Sequence, residues 1–379
     1  MDDSKPLLLP HITLSTNTAL RAGVLLTITD LAEWDRFNRL LGCCNGKHTT
    51  EQIATILSLD ITILNNTLAS LEDAGFIWCL PDYHAIPTSL FLQEFNRWLP
   101  IWVHQMYNQP MIWQGLYDGH EPASIMIGWA QENMHYTRSV MSHMPLAVQY
   151  ASTEREQQVQ FRHLSEEWDH YRLFMTACEA TAISENDLNE SRPLASTLNI
   201  TLFMRSVALL GTLVYNACEA LLEATTDNDQ TVMDFYQTVG QQHDLPQAFT
   251  DELIRHLMVD KEFGHIDIFE QLLEEYPMLP AATVAAIFSS CHRLADWFEV
   301  WNDDIYHHYR LSAPTYLTNR SPPPPPPLIS FSRRELAANI HYLRTILWIT
   351  LSSPQPSPLY HHMIYLLPES FGMLFNPQR

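Results

Sequence analysis

Glycine is the residue this chain avoids, and that avoidance limits the fold more than any other feature. It occurs 11 times in 379 positions. Gly-rich phosphate loops and turn-dense β folds both depend on glycine, so both are disfavoured. What fills the space is helical periodicity. Segments 89–107, 122–144, 153–181, 196–225, 230–243, 247–275 and 280–310 carry apolar residues at 3/4 spacing, with few strand signals. The expected separators are helix stops: Pro145, the stretch from Asn186 to Pro193, Asp244-Leu245-Pro246, and Pro277 to Pro280. Six or seven helices joined by short loops predict an all-α bundle.

Composition narrows the function classes. Hydrophobic residues make up 46% of the chain and aromatic residues 11%, enough for a sizeable core. The length suggests two or three domains of ~150 residues each. The 43 Asp and Glu outnumber 21 Lys and Arg, giving a net charge of −22. That balance argues against binding nucleic acid, which relies on basic residues at phosphates, and against docking on anionic lipid. No apolar run of ~18 residues is free of charge or proline, and the N-terminus lacks a signal-peptide layout, so no membrane span is expected. Six cysteines, Cys43 and Cys44 adjacent and the other four scattered, with no C-x-x-C pair, fit a reduced, cytoplasmic protein. Cys178, Cys218 and Cys291 read as small core residues.

The chain divides into residues 1–88, 89–312, 313–331 and 332–379. In the first, Asp35 to Leu41 begins a helix, Thr49-Thr50-Glu51 caps a second, and Ile61 to Gly75 forms a third. Leu64, Leu68 and Leu71 mark the buried face of the third, and 76–80 is a short strand. The second part is the helical bundle. The third contains six consecutive prolines, Pro322 to Pro327, which read as a stiff polyproline II spacer. The last is an amphipathic helix from Ser332 to Ile349 and a tail rich in Pro and Ser.

Inside the bundle, polar residues occupy positions that apolar faces should exclude. In HLSEEWDHYRLF, Glu167 and His170 are three apart and share a helical face, and Glu166 fits almost as well. In YNACEALLEA, Glu219 sits in a segment apolar nearly all round, where a carboxylate must be paired or bound to metal. In ELIRHLMVDKEFGHIDIF, His256 and Asp260 are four apart. Each set also has a bland reading as a solvated face or surface ion pair. Jointly they suit a site of oxygen and nitrogen donors for non-haem iron or manganese. Glu132, His135 and His143 share one face and read either as the lining of a substrate pocket or as solvated residues. Tyr306, His307 and His308 read as surface residues. No catalytic triad or other nucleophile arrangement follows from spacing.

These motifs resemble two known groups. The pattern LLGCCNGKHTTEQIATILSLDITILNNTLASLEDAGFIW, residues 40–78, is similar in style to winged helices of the PqqD-like peptide-recognition kind. Residues 122–310 resemble the haem-oxygenase-like proteins, which include TenA thiaminases, the quinone-cofactor synthase PqqC and di-iron oxidases. GWAQENMHYTRSVMSHMPLA matches an early helix, LSEEWDHYRLF the E-x-x-H helix, Glu219 a lone glutamate 49 residues on, and His256 the start of an H-x-x-x-D-x-x-H helix 37 residues further. The resemblance implies Glu167, His170, Glu219, His256 and Asp260 as ligands of the di-iron branch. The last histidine departs from the pattern, because that position holds Phe263. His265 lies on the opposite face of an ideal helix unless Gly264 breaks it, whereas Asp267 lies close to the His256 face. Either residue is a candidate replacement.

The expected protein is thus an all-α, haem-oxygenase-like bundle behind a small winged-helix-like domain. The resemblance implies an enzyme using two Fe(II) ions and O2 to oxidise a small amine, amino acid, fatty acid or residue of a carried peptide in a biosynthetic pathway. Glu132 and His135 are placed in its substrate pocket. Nucleic acid and membrane are excluded as partners, and a homodimer is left open. Two alternatives stand beside this reading: a metal-free PqqC-like oxidase, and a non-catalytic peptide- or partner-binding protein on a degenerate bundle.

Overall fold

A computed structural model describes residues 4–107, 111–224, 229–263 and 268–311. The Pro322–Pro327 run and the helix expected from Ser332 lie outside the described residues. Contacts divide the chain into two units: residues up to Ile101 together with Pro277–Ala285, and the remainder of the described chain. The division falls inside a helix near residue 101 rather than at residue 88.

The first unit opens with strands Lys5–Leu8 (β1), Thr13–Leu14 (β2), Thr18–Arg21 (β3) and Val24–Thr27 (β4). Helices Leu31–Cys43 (α1), Thr50–Leu57 (α2) and Ile61–Asp73 (α3) follow, then Ile77–Leu80 (β5), Ala85–Pro87 (β6) and the helix Thr88–Tyr107 (α4). Thr49 and Gln52 form a reciprocal capping box on α2, as the Thr-rich start predicts. Leu64, Leu68 and Leu71 are buried on α3 against Trp34, Phe37 and Ile53. Gly75 ends α3 at φ +75°, a conformation glycine adopts without strain. β5, expected as a short strand, pairs antiparallel with β1, Leu8 facing Ile77 and Lys5 facing Leu80. Strands β2, β3 and β4 form a meander. These four leading strands have no counterpart in the sequence reading, because each is only two to four residues long. β6 pairs with Met278–Pro280 (β7), nearly two hundred residues away. The Arg21 guanidinium is buried, ion-pairs with Glu94, donates to the Pro10 carbonyl at 2.8 Å, and lies over the Trp98 ring.

The second unit is an all-α bundle. Its helices are Trp113–Tyr117 (α5), Ser124–Arg138 (α6), Val140–Gln149 (α7), Glu154–Glu167 (α8), Tyr171–Ala180 (α9), Glu185–Glu190 (α10), Ala195–Ala208 (α11), Thr212–Glu223 (α12), Asp229–Gln242 (α13), Gln247–Phe263 (α14) and Ile268–Leu273 (α15). Ala281–Arg310 (α16) begins in the first unit and continues here. Three of the long expected helices are broken within the described residues. The stretch 122–144 divides at Ser139, and Pro145, expected as a stop, sits inside α7. The stretch 153–181 divides at residues 168–170. The stretch 196–225 divides before Gly211, whose φ of +115° glycine alone tolerates well. Each break re-aims the helix after it without changing the apolar period, so periodicity alone does not show it.

The core brings α6 against α9, α9 against α14, and α7 against α8 and α11. At Gly128 a Cβ would lie 2.1 Å from the Tyr309 ring, so glycine is needed for α16 to approach α6. Tyr306 was expected at the surface but is buried, its hydroxyl donating to Glu121 at 2.9 Å. None of the six cysteines forms a disulfide, and Cys178, Cys218 and Cys291 are buried. No single helix among the described residues is long and apolar enough to cross a membrane.

Candidate metal centre

Helix α8 is polar by composition but presents one buried stripe. Glu156, Gln160, His163 and Glu167 follow one another at spacings of four, three and four, and all are buried. Helix α12 repeats the spacing with the buried Thr212, Asn216 and Glu219 and the half-buried Glu223. The stripes are matched in register. The Gln160 side-chain amide donates to Asn216 Oδ1 at 2.8 Å. Two turns further along α12, and one and two turns along α8, the donor atoms of Glu223, His163 and Glu167 all lie within 4.8 Å of one another. At the other end, Glu156 is held by the Ser152 N–H and by the Tyr276 hydroxyl at 2.6 Å.

The expected site residues gather partly here. Glu167 is the last residue of α8, and His170 precedes α9 across the break, so they are not on one continuous helix. The intervening turn still leaves His170 Nδ1 3.0 Å from Glu167 Oε2. The His256 ring centroid is 5.6 Å from that of His170 and 4.5 Å from that of Phe174. Glu219 is buried one turn before Glu223. Glu166 turns toward Arg162 instead, at 3.6 Å. Asp260 lies on α14, with its side chain outside the described residues, as are His265 and Asp267.

Glu132 and His135 have other neighbours. Glu132 Oε2 accepts from the Leu194 N–H at 2.9 Å and the Thr197 hydroxyl at 2.6 Å, and its other oxygen accepts from the Tyr309 hydroxyl. His135 Nε2 lies 2.9 Å from the Ser191 hydroxyl. Glu132 therefore fastens α6 to the start of α11, and His135 fastens it to the end of α10. His143, weighed as solvated, is fully buried on α7 with Nδ1 2.7 Å from the Tyr215 hydroxyl.

The surroundings tune these groups. Burial, with Arg205 and His163 close by, pushes the His143 imidazole down to about 3, so the ring is neutral. Burial raises the Tyr215 phenol well above its usual value, reinforced by the charge of Glu219 and a hydrogen bond to it. The Tyr136 phenol is raised by burial and then by Glu219. The buried thiols of Cys178 and Cys218 are likewise pushed up and stay protonated.

The bundle is similar to haem-oxygenase-like proteins. A domain of unknown function with that fold from Shewanella denitrificans is 17% identical, over 60% of this chain and 94% of that one, at a TM-score of 0.48. A TenA homolog from Pseudomonas syringae pv. tomato is 10% identical over 59% and 96%, at 0.45. A TenA family transcription regulator from Silicibacter sp. is 16% identical over 61% and 98%, at 0.37. These likenesses concern the path of the chain and assign no residue a role. No family model and no curated protein matches the chain.

Two members of the cluster, His163 and Glu223, are absent from the sequence reading. Their signal was present in the same motifs. His163 precedes Glu167 by four residues and Glu223 follows Glu219 by four, so each extends a stripe already begun. The donor set itself, two carboxylates and an imidazole without thiolate, fits a divalent ion of the iron or manganese kind. It also fits the bundle pattern of carboxylates and histidines projecting inward from separate helices.

Proposed function

We propose that this protein is a non-haem iron oxidase or oxygenase. The observation that carries the reading is the convergence of the buried His163 and Glu167 with the half-buried Glu223 from two helices. These three would hold one ion, with Glu219, His170 and His256 supplying donors for a second. When bound, iron(II) supplies the reduction of O2 that drives oxidation of an organic substrate. The chain's own residues do the rest. Glu167 bridges the two groups of donors, since it lies both in the His163 cluster and beside His170. Val214, Ala217, Ala220 and Leu221 keep water from the α12 side. Phe174 packs on His256 and limits its ring orientations. The substrate class is a small amine, amino acid, fatty acid or residue of a carried peptide, as the haem-oxygenase-like resemblance implies. Six cysteines outside any disulfide suit a cytoplasmic setting.

The test is metal content after anaerobic Fe(II) loading and gel filtration. About two irons per chain are expected, with loss in Glu167→Ala and Glu223→Ala while the circular dichroism of the apo protein is unchanged. Failure to retain iron at any loading overturns the reading. Substrate turnover persisting in strong chelator also overturns it, because that outcome belongs to a metal-free mechanism.

A further inference from the structure

One buried group remains without a use in the site described above. His143 has no solvent exposure, its Nδ1 is 2.7 Å from the Tyr215 hydroxyl, and its Nε2 has no hydrogen-bond partner among the described residues. A buried imidazole nitrogen left bare lowers stability, and an apolar side chain of similar size would avoid that cost. The partner of His143 leads directly to the centre, since the Tyr215 hydroxyl is hydrogen-bonded to Glu219.

We infer that His143 and Tyr215 form a fixed relay that orients the Glu219 carboxylate toward the metal, making Tyr215 a positioning residue. The inference rests on the reading of the centre given above. Its direction follows from counting protons. A carboxylate only accepts, so the single phenolic proton of Tyr215 points to Glu219. The phenolic oxygen must then accept from His143, which fixes the tautomer with hydrogen on Nδ1. The bare Nε2 is the consequence of that tautomer. In the other tautomer, Nδ1 and Glu219 would compete for one proton, and a buried N–H would lack an acceptor. The three residues come from the adjacent helices α7 and α12, and α12 is buried along most of its length. Tyr215 therefore has little freedom to turn away. Ligating carboxylates are commonly held by such outer partners, whose loss weakens metal binding.

Anaerobic Co(II) titration of the full chain, followed by visible absorption, tests the relay. Tyr215→Phe is expected to weaken Co(II) binding about 10- to 100-fold and to alter the absorption bands, with the apo melting curve recording whether the fold is kept. His143→Leu should do the same. His143→Asn should restore binding to within about threefold, because its amide N–H takes the place of Nδ1–H. Should Tyr215→Phe fail to fold, the contrast between His143→Leu and His143→Asn decides. Wild-type affinity and an unchanged spectrum in Tyr215→Phe, or equal binding by the two His143 variants, overturn the relay and leave the metal centre standing. Failure of the unaltered protein to bind Co(II) or Fe(II) overturns both.

Discussion

At the scale of single residues, His143 has a consequence for stability as well as for geometry. Its folded pKa is pushed down to about 3, mainly by burial. An unfolded chain protonates the same ring near its ordinary value of about 6.5. Between those values the unfolded state binds a proton that the folded state refuses. This residue's contribution is therefore complete above pH ~6.5 and falls as the pH drops toward 3. His143→Asn removes that liability. Thermal melts at pH 7 and pH 5 should show a smaller drop in Tm for the variant than for the unaltered protein, and equal drops would refute the assignment. The same reasoning separates Glu132 from the carboxylates of the centre. Both Glu132 oxygens accept hydrogen bonds from hydroxyls or an N–H, whereas Glu167 and Glu223 face each other and an imidazole. Like charges kept together in a buried place require a cation, a proton or both.

At the scale of elements, the breaks between helices matter as much as the helices. Gly211 sets the direction of α12 and so places Glu219 and Glu223 opposite the α8 stripe. Gly211→Ala has open space for its Cβ but a forbidden φ, so it should cost about 1–3 kcal/mol and weaken Co(II) binding. Thr49→Ala, which breaks the capping box of α2 in the other unit, should cost about 1 kcal/mol and leave Co(II) binding untouched. Urea denaturation combined with metal titration distinguishes the two. This scale also shows what was legible beforehand. Period and burial were readable: α2 and α3 lie where their caps and leucines place them, and Glu219 is buried as its apolar neighbours require. The interruptions at Ser139 and at 168–170 were not, since Ser139, Trp168 and Asp169 are ordinary helix residues whose backbone is set by tertiary packing. Pro145 misled in the opposite sense: it is the sixth of the ten residues of α7, inside the helix, where it removes a backbone hydrogen bond without ending the element. Short strands such as β2 carry too few residues for alternation to register. The site was half legible. Glu167, His170 and Glu219 stood out by chemistry, while His163 and Glu223 required reading the whole 4-3-4 stripe.

At the scale of the whole molecule, metal should act on the folded state alone, because the donors come from distant parts of the chain. Binding at about 100 times the dissociation constant should add about 2.7 kcal/mol, a rise in Tm of roughly 5–10 °C. Scanning calorimetry with Mn(II) or anaerobic Fe(II) reads this directly, with reversal by chelator. No rise for Mn(II) and Fe(II) alike would contradict the centre. The antiparallel pairing of Ala85–Pro87 with Met278–Pro280 has a further consequence, for the order of assembly during synthesis. A chain emerging from the ribosome presents β6 early, but its partner strand appears only after nearly all of the bundle has been made. Domains made first usually finish folding first. Here the amino-terminal unit is the exception: it waits on a strand made nearly two hundred residues later, just before the long helix α16.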